Sequence, residues 1–481
     1  MKAYRKAIIF GIVAVLAGFS YWFFEVKKKK EKEEIVRQEA LLFEESDRRI
    51  VSLSLREKGE EEIRLEWQPK PEEEIPEGEE LGDDEAGDWM VTAPVSTGGD
   101  NMAIDSMLKA MVGQSSEEVI REGLEKKAEY GLDDPEYSVR FSYEGDSTVH
   151  GIDLGKKTLD GQKLFAVLAG EDRIYTVPAT ILDVVKKSLF DVRDKKIAPF
   201  EKEDIVGIIT ASGMNEIYLE KEGEDWYLLP QRVRASETRV DIYTGNLRWE
   251  SFVEVIEEEG TDFQRYGLDR PRIIVTFRLA DDSAFLFVVG DMAGEEENPL
   301  FYATRSIDNM IFRVTGETVQ KLLTTEFYLR DRSIFDFEQE SVQSLTFAKK
   351  DESYTFTRSG EDDWVLDGVE NVDGGGEFLG EVLERGYKID NVIRGVATSE
   401  YEDLEPLKRG EQGYGETGIE SPVYELVLRF QDDREPLTVG MTERGEETGK
   451  LFLTPDAGET VYYTSGYFVT NYPETIQELF E

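Results

Sequence analysis

Apolar and polar residues alternate with a period of two over Val51, Leu53 and Leu55 and again over Ile63 and Leu65. The alternation returns at Ile205, Ile208, Ile217 and Leu219, and a third time at Val342, Leu345, Phe347, Tyr354 and Phe356. Successive side chains of a strand point to opposite faces, so each place predicts a hairpin with one buried face. An Asp-Trp pair follows every hairpin, at Asp88-Trp89, Asp225-Trp226 and Asp363-Trp364. The recurrence of Trp89, Trp226 and Trp364 points to core anchors, with sugar stacking as the sharper alternative. Next the period changes. Ile104, Met107, Leu108, Met111 and Val112 fall on one helical face behind a capping Asp100, and Val240, Tyr243 and Leu247 repeat the stripe. In the third copy Phe378, Leu379, Val382 and Leu383, behind the run Gly374-Gly375-Gly376, predict the matching helix.

A turn then punctuates each copy: YGLDDP (Tyr130–Pro135), YGLDRP (Tyr266–Pro271) and TGIESP (Thr417–Pro422). Gly131, Gly267 and Gly418 can take positive φ, while Pro135, Pro271 and Pro422 hold the next segment extended. A strand follows each turn, over Tyr137 to Phe141, Ile273 to Phe277 and Tyr424 to Phe430. A further strand ends at Gly155, Gly290 and Gly440, and two more come after it. A second short helix is predicted on Ile181, Val185 and Leu189, on Val319, Leu322 and Leu323, and on Ile476, Leu479 and Phe480. After the first two copies stands an Arg-Asp pair, Arg193-Asp194 before Phe200 and Arg330-Asp331 before Phe335, which reads as a structural connector.

A repeat this long is a domain rather than a solenoid unit, whose period is roughly 20–50 residues. The expected fold class is α+β: an N-terminal transmembrane helix followed by three tandem copies of a small domain with a mainly antiparallel sheet and packed helices. The expected division is an anchor with its flanks over 1–34, a juxtamembrane stalk over 35–44, and repeat domains over 45–200, 201–338 and 339–481. The anchor rests on Ala7 to Phe24, an uncharged run bracketed by Lys2, Arg5, Lys6 and by Lys27 to Lys30. As a helix the run is about 27 Å long, enough to cross the hydrocarbon core. A cleaved signal peptide is the competing reading, against which the bulky Tyr21, Trp22 and Phe23 stand.

Charge narrows the partners. The chain has 56 basic and 103 acidic residues, a net charge of −47, which repels nucleic acid. It has no cysteine and one histidine, His150, which excludes disulfides, thiolate chemistry and multi-histidine metal sites. His150 is expected at the surface or on an edge strand. The acidic tract Glu72 to Asp88 lacks the ordered spacing of a calcium loop and reads as an exposed insert. Asp133-Asp134 and Asp281-Asp282 are adjacent acids, and adjacency in sequence says nothing about the spatial pairing that glycosidase chemistry needs. No catalytic, cofactor-binding or metal-binding residue stands out, and no cofactor is implied.

The anchor, the YGLD-x-P turns, the strands ending in glycine and the Arg-Asp connectors together resemble the domain of unknown function 4340 family. The third copy departs from that pattern at Ile419-Glu420-Ser421 and in a longer stretch between Trp364 and Gly418. The resemblance implies a bacterial envelope protein of the cytoplasmic membrane, single-pass, with its body outside and an association with ABC-type export or gliding-motility transport. The functional expectation is a non-catalytic accessory or interaction subunit of such a system. Its partners would be the bilayer, through residues 7–24, and a transporter ATPase or permease. The alternatives are a cell-envelope binding module, for example for glycan, and a carboxylate-based hydrolase. Whatever recurs in all three copies has a structural explanation, so specificity is expected where the copies differ.

Overall fold

The computed structural model describes residues 42–43, 46, 48–70, 86–113, 118–122, 126–295, 297–350, 352–360, 363–372, 375–432, 434–465 and 480. Three antiparallel sheets follow one another along the chain. The first has the spatial order Thr97–Gly98, Gly87–Ala93, Ile63–Pro69, Ile50–Glu57, Tyr137–Tyr143, His150–Lys157, Lys163–Leu168, Arg173–Pro178, Glu118–Glu122. The second repeats it as Val233–Arg234, Asp225–Leu229, Asn215–Glu222, Ile205–Ser212, Ile273–Leu279, Ala284–Met292, Leu300–Arg305, Ile311–Thr315, Glu254–Glu257. The third has eight strands: Trp364–Glu370, Glu352–Arg358, Val342–Lys349, Tyr424–Phe430, Leu437–Met441, Lys450–Thr454, Thr460–Ser465, Leu407–Lys408. Even the irregularity recurs. A register shift near the start of the leading strand falls at Ile50/Ser52, Ile205/Gly207 and Val342/Ser344.

The expected α+β class needs correction: the fold is predominantly antiparallel β. Only three helices among the described residues exceed six residues: α1 (Asn101–Val112), α2 (Glu237–Arg248) and α3 (Tyr387–Ala397). The stripes predicted as second helices are single turns, Ile181–Val185, Leu189–Val192, Gly316–Lys321 and Glu326–Leu329. Ser188 and Thr325 start new turns there by capping Asp191 and Tyr328, which prevents one continuous helix. Among the described residues no helix is long and apolar enough to cross a membrane, so the fold carries no transmembrane helix there. The run 7–24 lies outside the described residues, as do Glu72 to Glu85 of the acidic tract and Ile476 and Leu479 of the last predicted helix.

Three local expectations also change. The third-copy helix is α3, whose Ile389, Val392, Ile393 and Val396 are buried, whereas Leu379 and Val382 are exposed. Val382 instead bridges Val365, and the longer insertion displaces the helix towards the C-terminus. The end of the expected stalk belongs to the first core, because Leu42 and Phe43 are buried there. His150 opens a strand in the interior of its sheet, half-buried between Phe141 and Tyr143 at 5.5 and 5.2 Å.

By contacts the chain forms two compact units, 1–218 with 241–324 and 219–240 with 325–481. In the first, the Arg193 connector joins two repeats by backbone pairing. Asp194 N–H donates to the Gly98 carbonyl (2.8 Å), Ile197 N–H to Glu250 (3.1 Å) and Phe252 N–H to Lys195 (3.0 Å). The Arg193 guanidinium, almost wholly buried, grips Glu258 with two bonds of 2.8 and 2.9 Å. The second unit repeats the clasp: Asp331 N–H donates to Arg234 (2.9 Å), Ile334 N–H to Ser399 (3.0 Å) and Tyr401 N–H to Arg332 (3.0 Å). Arg330 grips Glu405 at 2.7 and 2.8 Å. The connector role expected for the Arg-Asp pairs is therefore what the backbone pairing performs. A phenylalanine ring plugs each following sheet, Phe43 on Phe141 (5.1 Å), Phe200 on Phe277 (5.4 Å) and Phe337 on Phe430 (5.4 Å). The counterpart of Phe200 is thus Phe337, not Phe335.

The second repeat holds a buried phenol. Tyr243 on α2 is 2.9 Å from the Thr210 hydroxyl and donates to the Leu322 carbonyl at 3.3 Å. Burial pushes its pKa from 10.0 to about 12, against the opposing effect of the Thr210 hydroxyl. A raised folded-state pKa gives stability that is complete below the unfolded value, near pH 10, and is lost as pH rises through about 12. Chemical unfolding followed across pH 9–12 is expected to show this decline, and Tyr243→Phe to flatten it while costing about 1 kcal/mol at neutral pH for the lost hydrogen bond.

Candidate functional site

Trp89, Trp226 and Trp364 are buried, which closes the sugar-stacking alternative for all three. Each backbone carbonyl accepts from the segment that covers it: Gly99 at 2.7 Å, Ala235 at 2.8 Å and Leu383 at 2.8 Å. The Trp89 indole N–H donates to Asp105 (3.1 Å), and the Arg358 guanidinium lies 4.5 Å over the Trp364 ring while bonding Asp390 at 3.0 Å.

The turns separate the third repeat from the others. In the first, a 3-10 turn over Lys127–Tyr130 ends on Gly131 at φ 74°, and in the second Phe263–Tyr266 ends on Gly267 at φ 69°. Each turn presses its last carbonyl onto the strand-end glycine. A Cβ at Gly155 would stand 2.3 Å from the Tyr130 oxygen, and one at Gly290 would stand 2.2 Å from the Tyr266 oxygen. Side chains seal the contact, with Tyr130 against Phe165 at 4.7 Å and Tyr266 against Tyr302 at 4.8 Å.

In the third repeat the corresponding turn, Tyr414–Thr417, also ends on a left-handed glycine, Gly418 at φ 73°. Its carbonyl no longer reaches the strand, however. The nearest atoms to a Cβ at Gly440 would be Thr454 Cγ2 at 3.3 Å and Pro422 Cβ at 3.4 Å. Pro135 is buried and Pro271 half-buried, but Pro422 is exposed. One side chain differs at the contact itself. Thr417 occupies the place of Tyr130 and Tyr266, and its hydroxyl turns back to donate to the Tyr414 carbonyl (2.7 Å). Phe452, the counterpart of Phe165 and Tyr302, is left without that ring and packs on Tyr463 at 5.0 Å.

Two clefts flank the opened turn. The larger, about 440 Å³, has Phe452 and Tyr463 as an aromatic floor and Ser421, Thr442, Thr448 and Lys450 along its rim. The Lys450 ammonium is held by Asp403 and by Glu402 (2.9 Å); Asp403 first and then Glu402 raise its pKa to about 12. It is therefore a fixed cation at neutral pH, already neutralised by its partners. The second cleft, about 300 Å³, lies between Arg409, Tyr414, Glu420, Pro422, Thr438 and Gly440. Arg409 bonds the Ala457 carbonyl (2.8 Å) and pairs with Glu459 (3.3 Å).

The adjacent acids noted in the sequence do not act in concert. Asp134 pairs with Lys58 at 2.7 Å, whose hydrogen bond lowers its pKa, and Asp133 faces Lys127 at 3.7 Å. Asp281 accepts from Ser283 N–H (2.9 Å), and the Ser283 side chain first and then its backbone lower the Asp281 pKa, which suits a turn rather than a proton donor. Among the described residues no three acidic or imidazole side chains converge as metal ligands.

The family described as a domain of unknown function (DUF4340) matches residues 89–255 and 245–413. The chain belongs to the DUF4340 family. Its two matched segments make it a tandem repeat, in accord with the recurring sheets. Both matches start part-way through a sheet and run across an Arg-Asp connector into the next, so the DUF4340 unit is offset from the structural repeat. No curated protein and no solved structure matches the chain.

Lys450, Phe452 and Tyr463 went unmarked in the sequence, although one signal was visible: threonine where the other turns have tyrosine. The opened turn has a direct consequence for glycine. Gly155→Ala and Gly290→Ala are expected to cost about 1–3 kcal/mol each, because a backbone carbonyl must move. Gly440→Ala is expected to cost less than about 1 kcal/mol, and denaturant unfolding of the three variants compares them directly.

Proposed function

We propose that this DUF4340 protein is a non-catalytic, extracytoplasmic interaction subunit of an envelope ABC-type transport assembly, and that it holds a partner in the opened turn of the third repeat. The observation that carries this reading is the space at Thr417 that a tyrosine ring fills in both other repeats. A small residue there leaves a preformed concave site with an aromatic floor and a polar rim, the general character of a recognition pocket. The clasped connectors support a scaffold, since each uses backbone pairing and a glutamate-bound guanidinium to join one repeat to the next. The acidic chain makes nucleic acid an unfavourable partner.

A second reading follows from the same floor. Phe452 and Tyr463, which line the cleft together with Ser421, Thr442 and Thr448, are also suited to a sugar ring, whose C–H face stacks on aromatics, so envelope glycan is the alternative ligand.

Thr417→Tyr tests both. Restoring the ring is expected to stabilise the third repeat by about 0.5–1.5 kcal/mol through its contact with Phe452, while filling the cleft. Affinity purification from gently solubilised membranes is expected to recover a transporter ATPase or permease with the natural chain and much less with Thr417→Tyr. Equal recovery with both chains, or recovery of no transporter component, sinks the reading. Co-sedimentation with isolated cell wall that Thr417→Tyr abolishes selects the glycan alternative.

A further inference from the structure

Strand pairing shows how Gly440 comes to lie clear of its turn. In the first two repeats the second residue after the turn proline faces the residue just before the strand glycine: Tyr137 opposite Leu154, and Ile273 opposite Val289. In the third repeat Tyr424 faces Met441, the residue just after Gly440. Backbone bonds agree. Glu136 N–H donates to the Leu154 carbonyl (2.9 Å) and Arg272 N–H to Val289 (2.8 Å), but Val423 N–H donates to Met441 (2.8 Å). Relative to its turn, the strand Leu437–Met441 is thus two residues out of step with its counterparts. Thr442 stands in the place of Gly155 and Gly290, and Gly440 in that of Val288. A Cβ at Gly418 would lie 4.0 Å from Thr442 Cγ2. With a side chain at that place, the turn carbonyl cannot seat there as Tyr130 and Tyr266 do.

In this register Gly440 serves no steric purpose. Its φ is not left-handed, and a Cβ on it would meet Thr454 and Pro422 no closer than 3.3 Å. Glycine inside a strand weakens it. A slide of two residues changes that, by bringing Gly440 under the turn. Side chains alternate with a period of two, so the slide keeps every one of them on its face. Leu437 and Val439 then take the places of Phe287 and Val289, and Met441 takes that of Asp291 beside the turn glycine. Val439 and Met441 are buried now and Leu437 is half-buried, so each register places two apolar side chains of the strand in the core. The strand is also lightly held. It pairs with Lys450–Thr454 through two residue pairs, against four in each of the other repeats. Irregular segments over 434–436 and 442–449 flank it and supply the length a slide needs.

We propose that the strand Leu437–Met441 switches between two registers: the one described, in which the clefts beside the third turn are open, and one displaced by two residues, in which the Thr417 carbonyl seats on Gly440 and the clefts close. The larger cleft has Thr442 on its rim and the smaller has Gly440 in its wall, so the slide rebuilds both. Threonine at 417 removes the ring contact that helps hold the other two turns shut, which leaves the two registers nearer in free energy. A partner held at Thr417 binds the open register alone and draws the population towards it. That coupling rests on reading the cleft as a partner site, whereas the slide itself does not.

Disulfide trapping tests it, because the full-length chain has no cysteine of its own. Thr438 faces Val427 in the described register and faces Glu425 after the slide. Cβ atoms on such a diagonal lie about 7 Å apart, and a disulfide needs about 4 Å. Under mild oxidation the pair Glu425→Cys with Thr438→Cys is expected to cross-link. Adding Gly440→Ala is expected to slow that cross-link at least about tenfold, since its Cβ meets the seated carbonyl only in the displaced register. Adding Thr417→Tyr is expected to speed it. The pair Val427→Cys with Thr438→Cys is expected to cross-link equally with and without Gly440→Ala, which shows that the alanine variant is folded. Cross-linking of the Val427 pair alone overturns the proposal, and so does a Glu425 cross-link that Gly440→Ala leaves unchanged. Neither result depends on recovering a transporter component, so failure of the partner reading is distinguishable from failure of the slide.

Discussion

The first two repeats are organised by the contact of a turn carbonyl with a strand glycine. Tyr130 and Tyr266 bring their carbonyl oxygens so near Gly155 and Gly290 that no Cβ fits between them. The approach needs a left-handed residue immediately after the tyrosine, which Gly131 and Gly267 supply. It also needs the chain to leave as a strand, which the following proline enforces. The register of the strand pairs Ile273–Leu279 with Ala284–Met292 and Tyr137–Tyr143 with His150–Lys157 then follows, and with it the face that is buried. Where the ring is absent, at Thr417, the carbonyl withdraws and the seam opens. The glycine and proline remain in the third repeat, so the backbone still turns, but the packing that closed it has gone.

The connectors depend on backbone rather than side chains for most of their grip. Asp194 and Asp331 donate to Gly98 and Arg234, Ile197 and Ile334 to Glu250 and Ser399, in the same pattern although the residues differ. Side chains add the charged part. Arg193 and Arg330 each hold one glutamate with two bonds, and Arg193 does so almost out of solvent, where an unpaired charge would be costly. A clasp built this way tolerates sequence change in the segments it joins, which explains how unlike segments carry the same pairing.

Much of each repeat was legible in residue patterns because those patterns report local constraints. Period-two alternation located the hairpins, Asp100 its helix cap, and the recurring tryptophans the cores. Legibility failed where distant segments decide. The strands Glu118–Glu122, Glu254–Glu257 and Leu407–Lys408 carry little pattern of their own and exist because the far side of each sheet pairs with them. The third helix was misplaced onto Phe378 to Leu383, since an insertion had moved it while leaving apolar residues near the old position. The choice between Phe335 and Phe337 as ring plug needed the register of the strand ending at Phe430. In the first repeat the second helix was drawn too long because Ile181, Val185 and Leu189, which lie on either side of the capping Ser188, look continuous in one dimension.

By itself the sequence determined the threefold repeat, the turns and the cores, since glycine, proline, tryptophan and alternation act within a few residues of where they stand. It also contained the difference that matters at the third turn, a threonine in place of a tyrosine. Only the tertiary structure decided what that difference does, because Tyr130 and Tyr266 are closed by rings on strands reached much later in the chain.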